Sequence, residues 1–209
     1  MIAIFDLDGT LVDSRADLAA AGNQARAAIG LAHLPETEVA AMVGDGLQRL
    51  IERLTPGAEP AARATALARF QQAYAAGCCQ RTRCYAGVPE ALDTCAGQGW
   101  RLAVATNKPL AFTRRILDHL GLSPRLAAVR GGDGPKKPDP AQLQSIIGEL
   151  GGDPQRTWMV GDHRTDILAG RAAGCRVLFC SWGMGHADGH AADASADHPR
   201  DWPRLLGRA

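Results

Sequence analysis

The opening stretch of the chain constrains it more than any other. Ile2 to Phe5 is an apolar run of four residues, which predicts a short strand buried on both faces. The run breaks into Asp6-Leu7-Asp8-Gly9-Thr10, two acids one residue apart and then a glycine. A buried strand that ends this way sets two carboxylates at the carboxyl edge of a sheet. In open α/β folds that edge is where ligands bind. Two anions so close repel each other, so a cation is expected as the third member. Oxygen-only ligands favour a hard ion such as Mg²⁺.

The rest of the chain supplies such a sheet. Arg101 to Thr106, Leu126 to Arg130, Thr157 to Val160 and Arg176 to Cys180 read as further short strands, separated by stretches with helical spacing. Strands alternating with helices predict a mostly parallel sheet with right-handed crossovers. Residues 15–82 differ. Apolar positions recur at helical spacing from Asp17 to Gly30, from Pro35 to Leu54 with a break at Gly44-Asp45-Gly46, and from Glu59 to Gly77. The expected organisation is therefore an α/β core from residues 1–14 and 83–209, and an all-helical insert at 15–82. An insert at a strand's catalytic edge is well placed to act as a lid. The tail from Ser181 is rich in His, Ala, Asp and Gly. It is expected to cover the sheet edge and to end in a short helix at Trp202 to Leu206.

Composition narrows the partners. The 209 residues carry a formal net charge of +1, so nothing draws the chain strongly to nucleic acid or to an anionic membrane. No apolar run reaches transmembrane length. A strand beginning at residue 2 leaves no room for a signal peptide, so a cytoplasmic protein is expected. The six cysteines lack paired C-x-x-C spacing and read as free thiols. Of 23 basic residues only Lys108, Lys136 and Lys137 are lysines, and all three lie in two short polar stretches beside strand ends. Arginine serves elsewhere, which suggests that lysine is retained where a compact ammonium is wanted.

Those polar stretches carry the chemistry. Thr106-Asn107-Lys108-Pro109 closes the second strand. The Thr106 hydroxyl and the Asn107 backbone N–H, ahead of a helix, can hold phosphate oxygens or simply cap that helix. In Lys136-Lys137-Pro138-Asp139-Pro140 the prolines stiffen a loop that can aim one ammonium. Gly161-Asp162-His163-Arg164-Thr165-Asp166 ends the fourth strand. Here Thr165 is expected to cap the next helix, with Asp166 in its first turn and His163 exposed.

In this order and spacing, over nearly the whole chain, the four signatures resemble those of the haloacid dehalogenase superfamily in its phosphatase form. The resemblance implies an α/β fold, a Rossmann-like core with a parallel sheet and a helical (C1-type) cap inserted after the first strand. It implies that Asp6 is the nucleophile and Asp8 the acid/base. Thr106, Asn107 and Lys137, the lysine directly before Pro138, would hold the phosphoryl oxygens. Mg²⁺ would be held by Asp6, the main-chain carbonyl of Asp8 and Asp162, with Asp166 supporting them. Thr-Asn-Lys-Pro, together with the turn Val43-Gly44-Asp45-Gly46, further resembles the phosphoglycolate phosphatase branch. That implies a small phosphorylated metabolite as partner, 2-phosphoglycolate first, with Gly44 approaching the ligand and Arg49 or Arg53 pairing with its carboxylate. Met184 stands where that branch often has an aromatic residue. Asp8 sets dehalogenases aside. The lack of lysine in the helical insert disfavours phosphonoacetaldehyde hydrolases and β-phosphoglucomutases. A phosphatase for a sugar phosphate or nucleotide remains the alternative, and behind it a non-catalytic phosphate-binding protein. A monomer or a homodimer is compatible with the sequence.

Overall fold

The computed structural model describes residues 1–207. Its centre is a six-stranded parallel sheet in the order β5-β4-β1-β6-β7-β8. The strands are β1 (Ile2–Phe5), β4 (Arg101–Ala105), β5 (Ala128–Arg130), β6 (Thr157–Gly161), β7 (Arg176–Cys180) and β8 (Ala194–Ala196). β1 is buried along its length because both its edges are paired: Ile2 stands beside Arg101 on one side and Thr157 on the other. From β1 the chain builds outward to β4 and β5, then returns to build β6, β7 and β8 on the other side. The strand order therefore reverses at β1, and the crevice at its carboxyl end is the switch point where such sheets bind ligands.

Alternating residues feed two cores. Ala3 and Phe5 join Leu102, Val104 and Trp158 on one face, covered by α5 (Val88–Gly97), α6 (Leu110–His119) and α9 (Trp202–Leu206). Ile2 and Ile4 join Ala103, Ala105 and Met159 on the other, covered by α7 (Ala141–Glu149) and α8 (Arg164–Ala172). The period of two along the strands is what separates the layers.

Residues between β1 and the second half of the sheet are helical: α1 (Arg15–Ala27), α2 (Glu36–Ala40), α3 (Leu47–Leu54) and α4 (Pro60–Gly77). Their apolar stripes, among them Leu18, Ala25, Ile51, Leu54, Phe70 and Tyr74, bury against one another. The chain enters and leaves this segment through an antiparallel ribbon, β2 (Val12–Asp13) on β3 (Arg83–Cys84), which the short polar sequences there did not announce. Buried Asp17 ties the two passages together, accepting hydrogen bonds from the backbone N–H groups of Arg81 and Thr82 and from the Thr82 hydroxyl.

The tail departs from expectation in one respect. It does reach the sheet edge, but as a sixth strand: β8 pairs in parallel with β7. Ala-Ser-Ala carries none of the β-branched or aromatic residues that mark a strand, so pairing is imposed by context. Asp193 helps, its carboxylate accepting from the Val177 N–H and the Arg171 guanidinium. Among the described residues no helix is long and apolar enough to cross a membrane.

Candidate active site

Three neighbouring strands deliver their polar signatures to one edge. Asp6 follows β1, Thr106 follows β4, and Asp162 follows β6. The residues after Asp6 turn back at once: Gly9 has φ +85, and a Cβ there would stand 2.1 Å from Asp162 Oδ2. Only glycine lets the Asp6–Thr10 turn lie against the β6 edge. Thr10 then donates its hydroxyl to Asp162 Oδ1 at 3.0 Å.

Asp6, Asp162 and Asp166 are buried, and one carboxylate oxygen of each lies within 4.8 Å of the others. Lys137 reaches into this group from the α7 side. Its Nζ donates to Asp166 Oδ1 at 2.6 Å and to the Ala105 carbonyl at 2.7 Å, and faces Asp6 Oδ1 at 2.9 Å. Burial alone would lower the Lys137 pKa, but the charges of Asp166 and Asp6 outweigh it and raise it, so the ammonium persists. One ammonium does not neutralise three carboxylates. Burial, then the charges of Asp6 and Asp166, push Asp162 up to about 7. Burial also raises Asp166, against the pull of Lys137. Asp6 Oδ1 is buried and accepts no aligned hydrogen bond despite the nearby ammonium. A buried carboxylate oxygen whose one facing ammonium is shared with Asp166, beside two further carboxylates with raised pKa values, is the setting a bound cation would complete. The all-oxygen donor set suits a hard divalent ion.

Asp8 points elsewhere. Its Oδ1 accepts from Ser14 Oγ at 2.6 Å and its Oδ2 from Lys108 Nζ at 2.6 Å. Adjacent carboxylates thus receive separate environments: Asp6 faces the acidic group and Lys137, while Asp8 faces a cavity beneath the helical segment. That cavity is lined by Asp6, Asp8, Thr106, Asn107, Lys108 and Asp162 at its floor, and by apolar side chains from α1, α3 and α4 above.

The family model described as haloacid dehalogenase-like hydrolase matches residues 3–180. The chain belongs to this family. A phosphoglycolate phosphatase of Rhodospirillum rubrum is 39% identical over 190 residues, covering 86% of this chain and 79% of the relative. One from Aquifex aeolicus is 31% identical over 207 residues, covering 98% and 96%. Among solved structures, a predicted phosphoglycolate phosphatase from Haemophilus somnus superposes with a TM-score of 0.93 at 29% identity, covering 98% of this chain and 96% of that one.

Within this member of the haloacid dehalogenase-like hydrolases, the sequence-derived candidates divide. Asp6, Asp8, Thr106, Asn107, Asp162 and Gly44 line the one cavity. Lys137 lies directly behind it, and Asp166 stands within the acidic group. Asn107 spends its amide on two carbonyls, donating to Gly44 at 2.9 Å and to Lys137 at 2.8 Å, and so stitches the helical segment to the lysine loop. Arg49 does not join the site. Its side chain is 67% exposed, pairs with Glu52, and lines a separate surface groove. Arg53 pairs with Asp45.

His163 corrects two expectations. It is buried, not exposed, packed where a Cβ on Gly44 would come within 2.8 Å of its Nε2. It also takes the capping role expected of Thr165: His163 Nδ1 accepts from the Thr165 N–H at 3.3 Å, while Asp166 Oδ2 accepts from the His163 N–H at 3.0 Å. This reciprocal pair satisfies the first turn of α8. The acceptor role at Nδ1 places the ring proton on Nε2, and burial lowers the pKa and keeps the ring neutral. Only the scarcity of lysine pointed to Lys108, and nothing along the chain pointed to it as Asp8's partner.

Proposed function

We propose that this protein is a Mg²⁺-dependent phosphatase that hydrolyses a small phosphate monoester, 2-phosphoglycolate first, through an aspartyl-phosphate. The observation that carries the reading is the division of labour between Asp6 and Asp8. One carboxylate stands at the switch-point edge beside a buried ammonium. The other stands two residues on, facing the cavity where a leaving group would sit. The curated relatives named phosphoglycolate phosphatase support the substrate class.

In the proposed reaction an Asp6 oxygen attacks phosphorus in line, and the bond from phosphorus to the ester oxygen breaks. Asp8 hands its proton to the departing alkoxide, then takes one from water as that water attacks the phosphorus of the aspartyl-phosphate. Inorganic phosphate leaves and Asp6 is restored. Lys137 holds Asp6 oriented, and the Thr106 hydroxyl and Asn107 backbone N–H offer donors to the phosphoryl oxygens. Asp6, Asp162 and the main-chain carbonyl of Asp8, supported by Asp166, would hold Mg²⁺, which supplies positive charge against an anionic nucleophile meeting an anionic substrate. Residues 15–82 serve as the cap over the edge. The pairing of Asp45 on the cap turn with Arg164 of α8, at 3.2 Å, favours the closed arrangement.

The test is phosphate release from a panel of monoesters with Mg²⁺, by wild type and by Asp6→Asn. Wild type should turn over and the variant should lose on the order of 10³-fold or more in kcat. An Asp6→Asn protein with wild-type turnover would overturn the nucleophile assignment. A preference for a sugar phosphate or nucleotide would leave the mechanism and remove the named substrate.

A further inference from the structure

We infer that Lys108 Nζ and the Tyr74 hydroxyl form a second anion subsite beside Asp8, built to take the carboxylate of a short phosphorylated hydroxy acid. The inference rests on the phosphatase reading above and names the residues that select its substrate.

Three observations converge. Lys108 is buried, and its ammonium donates to Asp8 Oδ2 at 2.6 Å, with the Tyr74 hydroxyl beside it. With a second donor turned to the neighbouring Tyr74 oxygen, at least one of its three N–H donors is left for something else. Tyr74 lines the same cavity from α4, and Lys108 Nζ lies 4.8 Å from its ring centroid. The Tyr74 hydroxyl is buried, the residue being 1% exposed, and its polar neighbour is the Lys108 ammonium, which can donate to the oxygen but cannot accept from it, so the O–H itself has no acceptor. Phenylalanine would fill the same space without stranding a polar atom, so the ring's packing does not explain the hydroxyl. A buried donor left unmade costs about 1–3 kcal/mol, which an acceptor brought by a ligand would recover.

The surroundings define that ligand. Leu18, Leu50, Phe70 and Phe112 wall the cavity, so an anion drawn to Lys108 would leave water for a site of low polarity, where one ammonium counts for more. Among the described residues lining the cavity, Lys108 is the one lysine or arginine. Position sets the length of the ligand. Lys108 touches Asp8, the group that protonates the ester oxygen in the proposed reaction. The anion it can hold therefore lies within a few bonds of that oxygen. A two-carbon hydroxy acid meets this condition; a sugar phosphate with a distant second anion does not. The role expected of Arg49 thus passes to a core lysine and a helical-segment tyrosine, one from each side of the cavity.

The test compares 2-phosphoglycolate with ethyl phosphate, which has the same length and no carboxylate, in wild type, Tyr74→Phe and Lys108→Met. The readouts are the ratio of kcat/KM for the two esters and the inhibition constant of glycolate. Wild type should favour 2-phosphoglycolate by about 100-fold or more, as expected where buried polar groups await a partner. The ratio should fall about 10-fold in Tyr74→Phe, which preserves the packing and so is expected to fold, and further in Lys108→Met. Glycolate should bind more weakly to both. An unchanged ratio in both variants, with activity on the two esters falling together, would overturn the subsite and leave Lys108 acting through Asp8 alone. Equal kcat/KM for the two esters in wild type would also overturn it while the phosphatase reading stood. No phosphate release from any ester would overturn that parent reading, and the subsite's role with it.

Discussion

Asp162→Asn should make the metal-free protein more stable while destroying its function. Asp162 is 2% exposed and is pushed up to about 7 from an ordinary 3.8, by burial first and by the charges of Asp6 and Asp166 next. A carboxylate raised in this way keeps its proton in the folded state over a range where the unfolded chain has lost it. Between about pH 4 and pH 7 the folded state binds more protons, so stability falls as pH rises through that window. A displacement of that size corresponds to ~4 kcal/mol lost by about pH 8, an upper value for one site. Asparagine removes the charge and keeps the contacts. Its carbonyl can accept from the N–H groups of Met184 and Gly185, now 2.8 and 2.9 Å from Oδ2, and its amide can donate to the Thr10 hydroxyl now donating to Oδ1. Urea unfolding with a chelator, across about pH 5 to pH 8, should show the variant gaining on wild type as pH rises, by ~2–4 kcal/mol at the top of the range. Asp166 is coupled to Asp162 through their charges, so the difference reports the charge of Asp162 together with the relief its removal gives Asp166. Adding Mg²⁺ should stabilise wild type through ligand linkage and leave the variant nearly unmoved. A variant less stable than wild type at about pH 8 in chelator, or one whose stability runs parallel to wild type across pH, would refute the argument that Asp162 is a buried charge awaiting a cation.

Two further predictions concern the same cluster. Lys137→Met leaves Asp6 and Asp166 without their ammonium and should cost about 3–5 kcal/mol in chelator near neutral pH, read from urea midpoints; a loss below about 1 kcal/mol would mean that the pairs contribute little. His163→Ala removes the α8 cap and should cost ~1 kcal/mol, whereas His163→Ser, which can cap through its hydroxyl, should lose little; equal losses in the two variants would show that the ring's packing, not its capping, is what matters.

How much of this was legible in the sequence depended on whether backbone or side-chain direction decided the matter. Asp6, Thr106 and Asp162 end buried apolar runs, and a parallel sheet brings strand ends together whatever else the chain does, so their meeting at one edge followed from periodicity. The lysine loop before Pro138 and the helical segment were legible for similar reasons. β8 was not, because Ala194-Ser195-Ala196 has no strand propensity and pairs only because β7 would otherwise present an open edge. The exposure expected of His163 rests on imidazole being an unlikely ligand for a hard ion, which says nothing of what packs against the ring. Its burial depends on the approach of Gly44, more than a hundred residues earlier, which spacing along the chain does not report.

The same limit governs selectivity, and there it is instructive. The sequence offers Arg49 and Arg53 as partners for a substrate carboxylate because they lie on the helical segment near the glycine turn. In the fold, one pairs with its helix neighbour Glu52 and the other with Asp45 of that turn. Arginine on an exposed helix face finds a nearby acid at little cost, so it is a weak pointer to a ligand. Burial reverses the inference. Two of the chain's three lysines, Lys108 and Lys137, are less than 10% exposed, each against one of the two aspartates of the first motif. Desolvating an ammonium is costly unless it is paired, and a fold that does so twice, once behind each aspartate, has assigned the two carboxylates different charges to answer. Lys137 shares its charge with Asp166 and a backbone carbonyl, while Lys108 keeps a donor unspent in an open cavity. The lysine with a donor to spare is therefore the one that the proposed subsite assigns to the substrate.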